Sequence, residues 1–199
     1  MSIPPVFNGR LYSDSVVGLK NEPQHRAVIW LLCHYPNTEE AGERIRVASA
    51  LHRAIGLPIW LFGSATARYP ASVESLLKKK LLEAGIPPEA VVCSADQDDI
   101  PDSLDTVQEI ANVFEMASRR SVAALICVSN RLQLLQVRGL LRNKPIQLAF
   151  VPIPLRDWRC WYVMGRLILI PLAFLGIGQH FLPLVLVRRA RAKLAAWPF

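Results

Sequence analysis

The sequence predicts an α/β fold, a three-layer α/β/α sandwich around a mainly parallel five-stranded sheet, followed by an apolar helical tail. Three observations predict it. From residue 27 onward, five apolar runs of strand length alternate with amphipathic stretches of helix length. The connections between them are short. The clearest runs are continuously apolar, as in strands covered on both faces. Alternation of this kind builds a parallel sheet through crossover connections.

"AVIWLLC" (27–33) reads as the first strand. The helix after it, "PNTEEAGERIRVASALHRAIG", has Asn37 or Thr38 as N-cap, Glu39 and Glu40 in its first turn and Gly56 as its stop. "LPIWLF" (57–62) is the second strand, and the loop "GSATARYPA" leads to a helix over 72–84 closed by Gly85. "EAVVCSA" (89–95) is a short third strand, and the acidic "DQDDIPDSLD" opens a helix over 104–119. "VAALICV" (122–128) is the fourth strand; Ser129 and Asn130 punctuate it before the helix-like "RLQLLQVRGLLR". "IQLAFVPI" (146–153) is the fifth. Right-handed crossovers would place helices on both faces, a Rossmann-like arrangement.

Residues 1–26 carry no basic segment followed by an apolar core, so they are expected to form an arm rather than a secretory signal. The remaining 27–166 suit one domain. With 52% apolar and 20% charged residues, the composition excludes disorder over most of the chain. The formal net charge of +7 fits nucleic acid, an anionic small molecule or an anionic membrane surface. The body lacks an interleaved aromatic and basic stripe, which argues against nucleic acid. Cys33, Cys93, Cys127 and Cys160 are isolated, with no CxxC spacing for zinc. Three of them sit in apolar runs, where a thiol serves as a small buried hydrophobe; a reducing compartment is the simplest setting.

In an open parallel sheet, ligands bind beyond the carboxyl ends of the strands. Those ends carry 33–38, 63–66, 94–99, Ser129 with Asn130, and 152–156. Gly63 with Ser64 would let backbone approach a ligand, although neither a GxGxxG fingerprint nor a P-loop is present. Asp96, Asp98, Asp99, Asp102 and Asp105 could collect a divalent cation. They lack EF-hand spacing, and Asp102, Ser103 and Asp105 equally suit a helix start, so no metal site is expected. His25, His34, His52 and His180 are scattered; His52 is expected on the surface. No Ser/His or Cys/His pairing supports nucleophilic catalysis.

The order of several short motifs over residues 27–166 resembles the ElyC/SanA/YdcF family, bacterial envelope-associated proteins with a Rossmann-like domain. "RIRVASAL" with Arg44 matches that family's Arg-Ile-x-x-Ala helix, and "LFGSATARYP" stands at its Ser-Gly-Gly turn. "SVESLLKKKLLEAGIPPEAVV", with Ser72, Glu74 and Gly85, matches its Ser-x-Glu-Ala helix and the Gly-Val-Pro that follows. "DTVQEIA" resembles its Asn-Thr-x-Glu-Asn start, with Thr106 matching and Asp105 in place of Asn. The family's Thr-Ser turn before His-x-x-Arg falls on Ser129 and Asn130, with Gln133 and Gln136 at the His and Arg. "CHYPNTE" replaces the Gly-rich turn usual after the first strand. Two glutamines can neither titrate near neutrality nor clamp an anion as Arg does. Catalysis is therefore left open by the sequence.

"LILIPLAFLGIGQHFLPLVLV" (167–187) is long enough to span a membrane. Arg156, Arg159 and Arg166 precede it and "RRARAK" follows, so a single crossing would export positive charge. A shallow hairpin would keep both basic flanks at one anionic surface, with Trp158, Trp161, Tyr162 and Trp197 near the headgroups. The other reading makes its first half the last core helix and lets the rest cover a second copy of the chain.

The resemblance implies a small polar or nucleotide-like ligand, with S-adenosylmethionine or a lipid-carrier phosphate as candidates, bound in envelope metabolism. Gly63, Ser64, Asp105, Thr106, Ser129, Asn130 and Gln133 would line the site, at the cytoplasmic side of the inner membrane. The alternative is a non-catalytic scaffold in envelope assembly. A hydrolase of phosphorylated lipid carriers would have only His34 and the acidic loop to draw on.

Overall fold

The computed structural model describes residues 27–33, 38–63, 73–97, 103, 106–155, 167–168 and 170–171. It has an α/β fold: β1 (Ala27–Leu32), α1 (Glu39–Ile55), β2 (Ile59–Phe62), α2 (Val73–Glu83), β3 (Val91–Cys93), α3 (Thr106–Arg119), β4 (Ala124–Asn130), α4 (Arg131–Leu141) and β5 (Gln147–Ile153). All strand pairings are parallel, in the order β3-β2-β1-β4-β5.

Alternation along the strands divides the core in two. Ile29, Leu31, Ile59, Leu61, Ile126 and Val128 face Ala41, Ile45 and Ala48 of α1 and Leu77 and Leu81 of α2. Trp30, Leu32, Trp60, Phe62, Leu125 and Cys127 face Ile110, Val113 and Met116 of α3 and Leu134 and Val137 of α4. Burial on both sides explains why β1 and β2 read as unbroken apolar runs: every residue of each is buried. The edge strand β5 instead alternates in burial. It tolerates Pro152, which has no N–H to give a ladder, in an edge position.

Local signals set the helix ends. Of the two candidate caps, Thr38 is the one used: its Oγ1 accepts from the Ala41 N–H at 3.1 Å. Gly56 closes α1 at φ 72°, where a side chain would be strained, and its N–H donates to the His52 carbonyl at 2.7 Å. His52 is half-buried rather than a free surface residue, and its Nδ1 lies 2.8 Å from the Leu57 carbonyl oxygen.

β1 and β5 are each one residue shorter than the sequence expectation, and the other three strands differ more. β3 is trimmed to Val91–Cys93 because Pro88–Ala90 and Ser94–Asp96 form 3-10 turns on either side. β2 starts at Ile59, after Pro58. β4 runs further than expected, through Ser129 and Asn130, which pair with Pro152 and Ile153 of β5. Polar composition made these two residues look like a turn, yet both are fully buried. The arm at 1–26 lies outside the described residues. So does the apolar run 167–187, except for helical residues at 167–168 and 170–171. Among the described residues no helix is long and apolar enough to cross a membrane.

Candidate functional site

The chain leaves β1 through α1 towards β2 and leaves β4 through α4 towards β5, so the connections diverge between the two central strands. In open α/β sheets that divergence opens a crevice at the carboxyl ends of the strands. A buried polar network occupies it here. Arg44, only 1% exposed, projects from α1. Its Nη1 donates to the Leu32 carbonyl at the end of β1 at 2.6 Å. Its Nη2 donates to Glu40 Oε1 and to Gln133 Oε1, each at 2.5 Å. Glu40 Oε1 also accepts from Asn130 Nδ2 at 2.8 Å.

Strand alternation assigns the two polar residues at the end of β4 to different partners. Asn130 shares the face of Val128 and reaches Glu40 on α1, whereas Ser129 donates to Gln133 Oε1 on α4 at 2.6 Å. Asn130 is also the N-cap of α4: its Oδ1 accepts from the Gln133 N–H at 3.0 Å. Each polar group in this chain of contacts thus has a defined partner, the condition under which burial is tolerated. Among the described residues two atoms of the network are exceptions: Arg44 Nε, sealed away with no hydrogen-bond partner, and Gln133 Nε2, which makes no hydrogen bond.

Two further buried carboxylates bind the neighbouring strand ends. Glu74 of α2 accepts from the Gly63 N–H at 3.0 Å and from Ser94 Oγ at 2.6 Å, joining the ends of β2 and β3. Glu109 of α3 accepts from the Cys33 N–H at 2.9 Å and from the Trp30 indole Nε1 at 3.2 Å. Cys33 lies between them. Burial, then the Glu109 and Glu74 carboxylates, push its thiol well above the ordinary value, so it is neutral at physiological pH and a poor nucleophile. A Cβ on Gly63 would stand 3.1 Å from Cys33 Sγ, so glycine here makes room for a neighbouring side chain.

Of the residues expected at the site, the structure brings Ser129, Asn130 and Gln133 into one network with Arg44 and Glu40. Gly63 belongs to the Glu74 group instead. Ser64, Asp105 and His34 lie outside the described residues. Thr106 opens α3, and its side chain lies outside them too. Gln136 is buried within α4. In the acidic run, the exposed Asp96 takes a hydrogen bond from half-buried Lys78 at 3.0 Å, while Asp98, Asp99 and Asp102 lie outside the described residues. Among the described residues no group of three or more His, Cys, Asp or Glu could hold a metal ion.

No family model, curated protein or solved structure matches the chain.

Glu109 is the residue that sequence reasoning passed over. Its signal was positional: it lies four residues before Val113 and seven before Met116, on the helix stripe that enters the core. Arg44 likewise lies three residues after Ala41 and four before Ala48, on the core stripe of α1. A charged residue inside an apolar stripe points to a buried partner. Chemically, the edge offers fixed donors and acceptors suited to recognition, and a thiol held neutral.

Proposed function

We propose that this chain is a divergent ElyC/SanA/YdcF-type protein that binds a small polar or nucleotide-like ligand at the carboxyl edge of its sheet. In this reading residues 27–166 form a Rossmann-like three-layer domain and 167–199 an apolar helical tail. The tail would hold the domain at the inner face of a bacterial membrane, in envelope metabolism. S-adenosylmethionine and a lipid-carrier phosphate are the candidate ligands. The supporting observation is the network that Arg44 makes with Glu40, Gln133 and the Leu32 carbonyl, between the ends of β1 and β4. A buried ion pair is commonly no more stabilising than apolar packing of the same volume. Its position at the strand divergence, where ligands bind in such sheets, gives it a reason beyond stability.

The second reading is a non-catalytic scaffold, and a specific observation favours it. Ser129, Asn130, the Gln133 oxygen and α1 are bonded to one another, and a purely structural network would do the same. Titration calorimetry with S-adenosylmethionine and with decyl phosphate separates the readings. Saturable heat from either supports ligand binding, and heat from neither leaves the scaffold. The double change Gln133→His with Gln136→Arg should abolish that heat if the site is in use, and be silent in a scaffold. Flotation with anionic and neutral vesicles tests the tail: binding to neither removes the membrane part of the proposal.

A further inference from the structure

We propose that Gln133 meets its ligand through its carboxamide nitrogen alone, so that the ligand atom placed there is a hydrogen-bond acceptor. Arg44 is the positioning residue that enforces this. The inference rests on the ligand-binding reading above and adds the class of atom recognised.

A glutamine side chain free to turn over can offer either an oxygen acceptor or an NH2 donor. Gln133 is not free to do so. A guanidinium carries donors only, so the Gln133 atom 2.5 Å from Arg44 Nη2 must be oxygen. The Ser129 hydroxyl donates to that same oxygen at 2.6 Å, and both of its lone pairs are therefore engaged. Turning the carboxamide over would set an NH2 group against the guanidinium and strand that buried donor. The backbone N–H of Gln133 is also taken, by Asn130 Oδ1.

What remains is Nε2. Gln133 is only 2% exposed, and its nitrogen makes no hydrogen bond among the described residues. Nor is it one of the side-chain atoms sealed away without a partner, which among the described residues are Arg44 Nε and Ser49 Oγ. A donor with open capacity thus touches accessible space from the first turn of α4, at the strand divergence. Phosphate oxygens, ribose oxygens, adenine ring nitrogens and carboxylates can accept from it. An ammonium group has no lone pair to offer, so in S-adenosylmethionine it would have to lie elsewhere.

Nuclear magnetic resonance of the 15N-labelled full chain tests this, with the Gln133 NH2 pair assigned through its own backbone. Decyl phosphate and S-adenosylmethionine are titrated separately, with calorimetry in parallel. One Gln133 NH2 proton should move downfield on saturation with whichever probe gives heat. A shift with decyl phosphate identifies a phosphate oxygen; a shift with S-adenosylmethionine identifies an acceptor on its adenosine or carboxylate. Gln133→Glu keeps the acceptor for Arg44 and Ser129 but replaces NH2 by oxygen, and should weaken that probe by about tenfold or more. Should that variant fold poorly, the resonance measurement on the unaltered chain still decides. Heat with an unmoved Gln133 pair overturns this inference and leaves the ligand-binding reading standing. Heat from neither probe overturns that reading, and this inference with it.

Discussion

Arg44 and Gln133 are 89 positions apart, and Arg44 Nη2 donates to Gln133 Oε1 at 2.5 Å. Arg44 belongs to α1, which covers one face of the sheet, and Gln133 to α4, which covers the other. The bond passes around the carboxyl edge and ties the two helical layers together where β1 and β4 end.

Replacing Arg44 by Met should therefore be costly. It withdraws a cation from the buried Glu40 carboxylate and donors from Leu32 and Gln133, a loss of about 3–5 kcal/mol for breaking a buried pair. Urea denaturation with an unchanged slope would measure it. A loss below about 1 kcal/mol, typical of surface pairs, would show that the network contributes little.

Asn130→Asp should be harmful although Asp and Asn cap helices equally well. Asn130 Nδ2 donates to Glu40 Oε1 at 2.8 Å, so the substitution sets one carboxylate against another. The like charge raises the folded pKa of the new acid, and the loss of stability grows as pH rises. The variant should be about 1–3 kcal/mol less stable at pH 7 and recover part of that near pH 5. Equal stability deficits at the two pH values would sink the idea.

The close approach of Gly63 to Cys33 can be read from a double-mutant cycle. Gly63→Ala puts a Cβ 3.1 Å from Cys33 Sγ and 3.4 Å from the Glu74 nitrogen. Overpacking of this kind costs about 1–3 kcal/mol. Against a Cys33→Ala background the cost should fall, with a coupling of at least about 0.5 kcal/mol. Strict additivity would mean that the backbone at Glu74, and not the thiol, sets the limit.

The cysteines impose an alkaline limit. Burial, and then the Glu74 carboxylate, raise the Cys93 thiol from 9.0 to about 12. Burial and Glu109 raise Cys127, and Cys33 is raised likewise. Between pH 9 and 12 the unfolded chain has released the Cys93 proton while the folded chain retains it. Stability is thus undiminished below pH 9 and falls as pH rises through that window. Denaturation midpoints at pH 8 and pH 10 would show the decline, and a thiol reagent at pH 8 should label the buried Cys93 and Cys127 only on unfolding. Rapid labelling of Cys93 or Cys127 in the native protein would contradict the buried, neutral assignment.

The β–α alternation was legible because strands buried on both faces must be apolar throughout, and Thr38, Gly56 and Gly85 mark helix ends by their own chemistry. Ser129 and Asn130 were legible as polar residues at a strand end but not as part of the strand. Sequence alone does not reveal that a polar residue is buried and paired. The same limit hid the partner of Gln133. Its position suggested a ligand, while the acceptor role of its oxygen depends on Arg44, a residue of another helix on the opposite face. Glu109 was missed because a lone acid in an amphipathic stretch resembles a solvated one until its place on the apolar stripe is counted.

The span between Arg44 and Gln133 also bears on the order of assembly. Joining segments so far apart closes a long loop, and the entropy of closure must be met before the contact returns anything. The carboxyl-edge network can close only after both helical layers have docked. It is expected to be the last part of the fold to form, so weakening it at Arg44 should hasten unfolding in stopped-flow experiments and leave the refolding rate nearly unchanged.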